Sequence, residues 1–287
     1  MRTLVFGTVA LITIFRLAGY VTNPRLTDAE IHGIAGEPTR YVERPPHAGP
    51  QTIVTWNIER GVRYSKIVDV LRSINPDLVL LQEVDRFCGR SGTRDIARDL
   101  ADALHMNWVS AGEFQEIGEG RDGVPALTGQ ALLSTYPIED PDVIVFTNQT
   151  ALRWRFNPVQ PRRGGRIALR ARVADLLIYN LHIESGGSDA LRMNQLNEVL
   201  ADQVRYPDEA VIGGDFNNTS AAIHTVHAAL EAGGFVNALG ENSRQTSVRH
   251  PYPIDWLFVK MDGQVAGKVE QIDGVSDHYP LIGTLKR

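Results

Sequence analysis

From residue 51 onward, short apolar runs alternate with stretches whose apolar residues recur at helical spacing. QTIVTW, DLVLLQ, QALLS, RIALRARV, DLLIYNL, EAVIGG, IDWLFVK and LIGTLK read as strands. YSKIVDVLRSI, TRDIARDLADAL, DALRMNQLNEVLADQV and AAIHTVHAALEAG read as helices, because apolar side chains three and four apart share one face. Strands this apolar need helices or another sheet against them. The alternation therefore predicts an α/β layered domain over 51–287, with no second boundary inside it. A chain of 287 residues, 43% of them hydrophobic, supplies enough apolar surface for such a core.

Upstream the pattern breaks. Residues 1–21 carry Arg2 and then the apolar run LVFGTVALITIF, the layout of a secretory signal or a membrane anchor. The run falls short of the roughly 20 residues a spanning helix needs, and Arg16 interrupts its extension. A buried segment added to the domain is the other reading. An exported or membrane-anchored protein is expected, with a cytoplasmic one as the alternative. The LAG before Tyr20 is not followed by a cysteine, so lipidation is not expected. Residues 22–50, with Pro24, Pro38, Pro45, Pro46 and Pro50, read as a linker. Cys88 is the single cysteine, which excludes an internal disulfide; with no base beside it, it reads as structural. The net charge of −5 argues against a protein that coats nucleic acid by bulk charge, although a local basic groove remains compatible.

The strands end in an unusual way. IVTW runs into Asn57, with Glu59 two residues on; LVLLQ runs into Glu83; LLIY runs into Asn180, with His182 two residues on. VIGG runs into Asp215, with Asn217 two residues on. In extended chain, residues i and i+2 point to one side, so each such end offers paired polar groups. Asp255 opens IDWLFV, and SDHYP supplies Asp277 and His278 near the C-terminus. Taken singly, these residues read as turn, cap or core residues. Their recurrence at successive strand ends points to one shared site, since such groups are expensive to bury without partners or a metal.

The donor set is oxygen-rich, with no cysteine cluster and no close histidine pair, which suits Mg²⁺ (or Mn²⁺) rather than Zn²⁺. Histidines beside such an ion suit attack at phosphorus, where an imidazolium can hold a phosphoryl oxygen whose charge grows. A carboxylate can hold the attacking water and take its proton. A second carboxylate can fix a histidine's tautomer.

The ordered series TWNIE, LLQEV, GQALLSTYPI, YNLHIE, GGDFN, IDWLF and SDHYP resembles the endonuclease/exonuclease/phosphatase superfamily, metal-dependent phosphoesterases with a deoxyribonuclease-I-like fold. The resemblance runs from about 51 to 286. It implies a four-layer α-β-β-α sandwich of two packed mixed sheets flanked by helices. It implies a metal-dependent phosphodiesterase or phosphatase that works by in-line attack of water. By position, Glu83 is implied as the main metal ligand, with Asn57, Glu59 and Asp277 beside the metal. His182 is implied to contact the scissile phosphate, Asp215 to position and deprotonate the water, and Asn217 to hold the phosphate or the transition state. His278 is implied to meet the phosphoryl oxygen, with Asp255 paired to it. Asn57, Asn180 and Gln130 are expected on the substrate side. Gln130 stands where the family has asparagine, and Leu181 where it has threonine. Arg192 and Gln195 resemble an R-x-x-Q pair on the following helix, read as structural.

The substrate is less legible. Arg153, Arg155, Arg162, Arg163, Arg166, Arg170 and Arg172, interleaved with Trp154 and Phe156, suit a nucleic-acid backbone with a stacked base, or an anionic lipid headgroup. Arg166, Arg170 and Arg172 also fit a solvated strand face, and Arg162–Arg163 before Gly164–Gly165 a mobile loop at the rim. The expected partner is a phosphoester: nucleic acid, phospholipid headgroup or inositol phosphate. The N-terminus is expected to associate with a membrane, and no obligate protein partner is indicated. The alternatives are a DNA or RNA nuclease of the same fold and a non-catalytic module that binds phosphoesters.

Overall fold

The computed structural model describes residues 24–41, 51–150, 160–206, 209–240 and 244–286. The N-terminal apolar run and Arg153, Trp154, Arg155 and Phe156 lie outside these residues. Among the described residues no helix is long and apolar enough to cross a membrane.

Two sheets form the body. The first contains β1 (Ile34–Glu37), β2 (Thr52–Asn57), β3 (Leu78–Arg86), β4 (Asn107–Glu116), β5 (Leu127–Ser134), β7 (Arg162–Gly164), β13 (Gln264–Val269) and β14 (Leu281–Lys286). Its order is β1-β4-β5-β3-β2-β14-β13, with β7 on β4. The second contains β6 (Ile138–Val145), β8 (Ile167–Val173), β9 (Leu176–His182), β10 (Glu209–Asp215), β11 (Val236–Asn237) and β12 (Asp255–Lys260), in the order β11-β12-β10-β9-β8-β6. Both are mixed. β2–β3 and β9–β10 are parallel, and the other pairs are antiparallel.

The five helices described are α1 (Asp28–Ile31), α2 (Tyr64–Ile74), α3 (Ile96–Leu104), α4 (Asp189–Gln203) and α5 (Ile223–Ala232). Helix α2 buries Ile67, Val68, Val70 and Leu71 and stops at Asn75, which turns left-handed before Pro76. Asp95 caps the start of α3 by accepting from Arg98 N. The alternation within β3 shows how the layers form. Val79 and Leu81 join the cluster that α2 and α3 cover, whereas Leu78 and Leu80 face the core between the sheets. DLVLLQ is apolar throughout because both faces are covered. Leu80 is fully buried, and its truncation to alanine would cost about 2–5 kcal/mol. Helices α4 and α5 lie on the second sheet. Asp202 of α4 accepts from Arg170 and Tyr179, and His227 of α5 packs edge-on to Trp256 and Phe258. The arrangement is the expected sandwich of two mixed sheets between helices.

One segment departs from the linker reading of 22–50. Thr27 and Glu30 form a reciprocal capping box on α1, Ile31 is fully buried, and β1 pairs antiparallel with β4 from Ile34↔Ala111 to Glu37↔Trp108. The segment therefore belongs to the domain and covers an otherwise open sheet edge. Gly36 permits the approach, since a Cβ there would sit 2.3 Å from the Trp108 carbonyl oxygen.

Candidate active site

Each sheet carries its parallel pair near the middle, and parallel strands bring their C-terminal ends to one edge. Those ends deliver Asn57, Glu83, His182 and Asp215. Asp215 is the cross-strand partner of His182 on one side and of Asp255 on the other, so acid and imidazole form a row across β9, β10 and β12. The segment before β14 brings Asp277 and His278 to the same place. Trp56 Nε1 donates to the His278 carbonyl at 2.9 Å, and Ser276 Oγ donates to the Asn57 carbonyl at 2.7 Å. A cleft of about 360 Å³ opens here, lined by Asn57, Glu83, His182, Asp215, Asn217, Asp277 and His278, with Arg166, Ser247, Arg249, His250 and Tyr252 among its other walls. A larger hollow of about 830 Å³, at the C-terminal ends of α2 and α3, has no carboxylate among the described residues of its lining and gathers no comparable set.

The stretch VIGGDFNN is both turn and site. Gly214 has φ +146°, and a Cβ on it would fall 2.0 Å from the Leu181 carbonyl oxygen. Asp215 Oδ1 then accepts from Asn217 N at 2.9 Å, and Asn217 Nδ2 donates to the Ile183 carbonyl at 3.0 Å. Glu83 leaves its ladder differently. The register of β3 on β5 shifts between Gln82 and Val84, and Glu83 takes φ +52° at that bulge. A non-glycine residue held left-handed is strained, a feature that clusters where function fixes a side chain.

Asp215 Oδ2 is the hub. It accepts from Asn57 Nδ2 at 3.2 Å and lies 3.6 Å from His182 Nε2 and 3.8 Å from His278 Nε2. Asp255 bonds His278 Nδ1 at 2.9 Å. Burial would strip the proton from His278, but the Asp255 and Asp215 carboxylates outweigh it and push the imidazole up to about 10, so it is an imidazolium at neutral pH. Glu83 also feels burial, which opposes ionisation. Its neighbours His182, Arg60, Arg166 and His278 together prevail and hold its carboxyl below the ordinary range.

Asp277 goes the other way. Burial raises its carboxyl, and the carboxylates of Glu59 and Glu83 crowd it further against the pull of His278. Arg249 reaches it at 3.2 Å from an exposed position. A carboxyl raised by neighbouring hard oxygens, as Asp277 is, is what a divalent cation relieves, so the donor set fits such an ion. Asp215, Asp255 and His278 also present ligand atoms within 4.8 Å of one another. His278 Nδ1 is already bonded to Asp255, which makes that trio an ion-paired dyad beside a carboxylate.

Most of the expected residues line the cleft; Asp255 stands behind it, bonded to His278, and three others lie away from it. Asn180 is fully buried between the sheets; it donates to the Leu81 and Ala131 carbonyls and accepts from Gln82. It shares a face with His182 but sits one step deeper. Gln130 is also fully buried and donates to Glu113 Oε1 at 3.0 Å and to the Ile167 carbonyl at 2.7 Å. Neither side chain lines the cleft, so the substrate-side expectation for both is corrected to a supporting one. Glu59 is held by Arg63 four residues on and is not part of the lining.

Arg192 and Gln195 pin the chain after His182: Arg192 Nε donates to the Glu184 carbonyl and Gln195 Oε1 accepts from Glu184 N, both at 2.9 Å. Cys88 is buried with its thiol on the Leu127 carbonyl, and burial pushes that thiol up, as an inert cysteine requires. Arg162 and Arg163 belong to β7, with Arg162 on Glu116 at 3.2 Å, so they form a strand where a mobile loop was expected. Arg166 is 6% exposed and lines the cleft, so it is no solvated-face residue. Arg170 is taken up by Asp142 and Asp202. Sequence reasoning missed Glu113, Arg249, His250 and Tyr252. Glu113 sits in mid-strand, where a lone acid reads as surface; the run from Thr246 to Tyr252 carries no periodicity.

Comparison with known proteins agrees with this geometry. A sequence profile described as the Endonuclease/Exonuclease/phosphatase family matches residues 54–278. Among solved structures, an endonuclease/exonuclease/phosphatase from Beutenbergia cavernae is similar at TM-score 0.59 and 21% identity, over 83% of this chain and 72% of that one. One from Bacteroides vulgatus gives 0.59 and 17%, over 83% and 98%. Truncated TDP2 from Caenorhabditis elegans gives 0.56 and 17%, over 83% and 98%. No curated protein matches by sequence. With three quarters of its length under one family profile and its strand-end acids and histidines gathered at one cleft, the chain belongs to the endonuclease/exonuclease/phosphatase family.

Proposed function

We propose that the protein is a divalent-metal-dependent phosphoester hydrolase that directs a water molecule in line at phosphorus. The observation that carries this is the convergence on Asp215 Oδ2 of two imidazoles and an amide, beside the carboxylates of Glu83 and Asp277. Asp215 has its Oδ1 fixed by Asn217 N, which leaves Oδ2 to orient the water and take its proton. The Nε2–H groups of His182 and His278 would face a phosphoryl group bound beside Asp215 and would stabilise the charge growing on its oxygens. Asp255 holds His278 in the charged form for that purpose. Glu83, Asp277 and the Asn57 amide are the residues that would hold Mg²⁺ or Mn²⁺. A cation there supplies positive charge to the phosphoryl oxygens.

The test is hydrolysis by the full chain of a panel containing nucleic acids, inositol phosphates, phospholipids and bis(p-nitrophenyl) phosphate, with and without Mg²⁺. Asp215→Asn is expected to lower kcat by on the order of 10²–10⁴-fold with the fold intact. Undiminished turnover in Asp215→Asn would end this reading. Arg249, His250 and Tyr252 at the cleft wall favour a nuclease as the second reading, since cation and aromatic rings together hold a strand. Mg²⁺-dependent nicking of plasmid DNA would select it.

A further inference from the structure

His182 serves as a hydrogen-bond donor in the reading above, and the following inference rests on that reading. The ring is 2% exposed, and its nitrogens face different partners. Nε2 looks toward Asp215 Oδ2 at 3.6 Å. Nδ1 has Arg166 Nη1 at 2.8 Å and Glu113 Oε2 at 3.4 Å. These neighbours make opposite demands. A carboxylate accepts and favours a proton on Nδ1; a guanidinium only donates and favours a bare lone pair there. The arginine is the closer, and a proton on Nδ1 would set N–H against N–H at 2.8 Å.

We propose that Arg166 is a positioning residue that holds His182 as the neutral Nε2–H tautomer, so that this imidazole meets the phosphoryl group as an uncharged donor. Arg166 Nη1 donates to Glu113 Oε2 at 2.8 Å, and with Nδ1 bare its second proton goes to His182 at the same distance. Glu113 is kept from swinging toward the ring by Gln130 Nε2, which is itself anchored on the Ile167 carbonyl. The guanidinium also lies over the Phe114 ring, 5.3 Å from its centroid, and Arg166 N donates to Gln149 Oε1 at 2.7 Å. Its Nε is buried with no partner among the described residues. An uncharged imidazole can polarise an oxygen by donation alone.

Long-range ¹H–¹⁵N correlations of the full chain labelled at histidine, with His182 assigned through His182→Gln, test this. At pH 7 the wild-type ring should show a protonated Nε2 and a bare Nδ1. Arg166→Lys, which keeps a donor, should preserve that pattern. Arg166→Gln should convert the ring to the Nδ1–H or doubly protonated form and lower kcat on bis(p-nitrophenyl) phosphate by about 10- to 100-fold, with KM little changed. An Nδ1–H or doubly protonated ring in the wild type overturns the proposal, as does an Arg166→Gln spectrum identical to wild type. If Arg166→Gln does not fold, the wild-type and Arg166→Lys spectra decide. The expected tautomer in a protein that hydrolyses no phosphoester would leave Arg166's hold on the ring standing and remove the enzymatic reading.

Discussion

Glu113→Gln isolates the buried charges beneath the cleft. Glu113 and Arg166 are 1% and 6% exposed and pair at 2.8 Å. Burial would raise the Glu113 carboxyl; Arg166, His182 and Gln130 together outweigh it and bring it down from 4.5 to about 2. That gap corresponds to roughly 3 kcal/mol in favour of the ionised form in the folded chain. A second route gives a similar figure, since removing one partner of a buried ion pair strands the other charge at a cost of about 3–5 kcal/mol. Glu113→Gln is therefore expected to lose about 3 kcal/mol of stability at pH 7. The sign in acid follows from linkage. The folded carboxyl titrates below the unfolded one, so the unfolded chain binds the extra proton. This stability is present above about pH 4.5 and is lost as the pH falls toward 2, and the gap between wild type and variant closes over that window. Urea unfolding followed by tryptophan fluorescence from pH 7 into acid measures both quantities. A loss below about 1 kcal/mol at pH 7, the size of an exposed pair, or a gap that stays constant in acid, would refute the pairing argument. The double variant Glu113→Leu with Arg166→Met should lose less than Glu113→Gln alone, because no charge is stranded.

Asp255→Asn removes the carboxylate foremost in pushing His278 to about 10, and the alkaline limb of the pH–rate profile should move toward lower pH. The same ion pair stabilises the fold fully below about pH 6.5 and fades as the pH rises through about 10; an unmoved alkaline limb would remove His278 from its role. Gly214→Ala forces a Cβ to within 2.0 Å of the Leu181 carbonyl oxygen at φ +146°, and should cost about 2 kcal/mol or more in thermal unfolding, with a larger loss in hydrolysis because Asp215 moves. Chelation with EDTA should abolish hydrolysis and added Mg²⁺ or Mn²⁺ should restore it; turnover indifferent to chelator would contradict the oxygen-ligand assignment.

Asn57, His182 and Asp215 reach the cleft as strand ends, a position that the apolar runs before them mark directly in the sequence; Asn217 follows Asp215 in a left-handed turn. Depth is not so marked. Asn180 has the parity of His182 and the opposite fate, since one step back from the tip places it between the sheets, where it satisfies Leu81 and Ala131. Arg166 and Arg170 illustrate the same gap. Their spacing puts both on one side of a strand, yet Arg166 enters the cleft and Arg170 is taken up by α4. Glu113 left no local signal, because its partners, Gln130, Arg166 and His182, are 17, 53 and 69 residues away. The edge strand β1 was invisible for another reason. A four-residue strand is held by backbone bonds to β4, and its side chains need not alternate.

What stands behind each histidine differs. Behind His278 is a carboxylate, which makes an imidazolium; behind His182 is a guanidinium donor, which in the proposed arrangement leaves the ring uncharged. Both Nε2 atoms point at the same oxygen of Asp215, at 3.6 and 3.8 Å. A carboxylate between two cations gives up proton affinity and serves poorly as a base, whereas one with no cation near it leaves the charge on phosphorus unmet. One charged and one neutral donor satisfy both demands. In the proposed mechanism the buried Gln130–Glu113–Arg166 chain serves chemistry as well as packing, since it would set which of the two rings stays neutral.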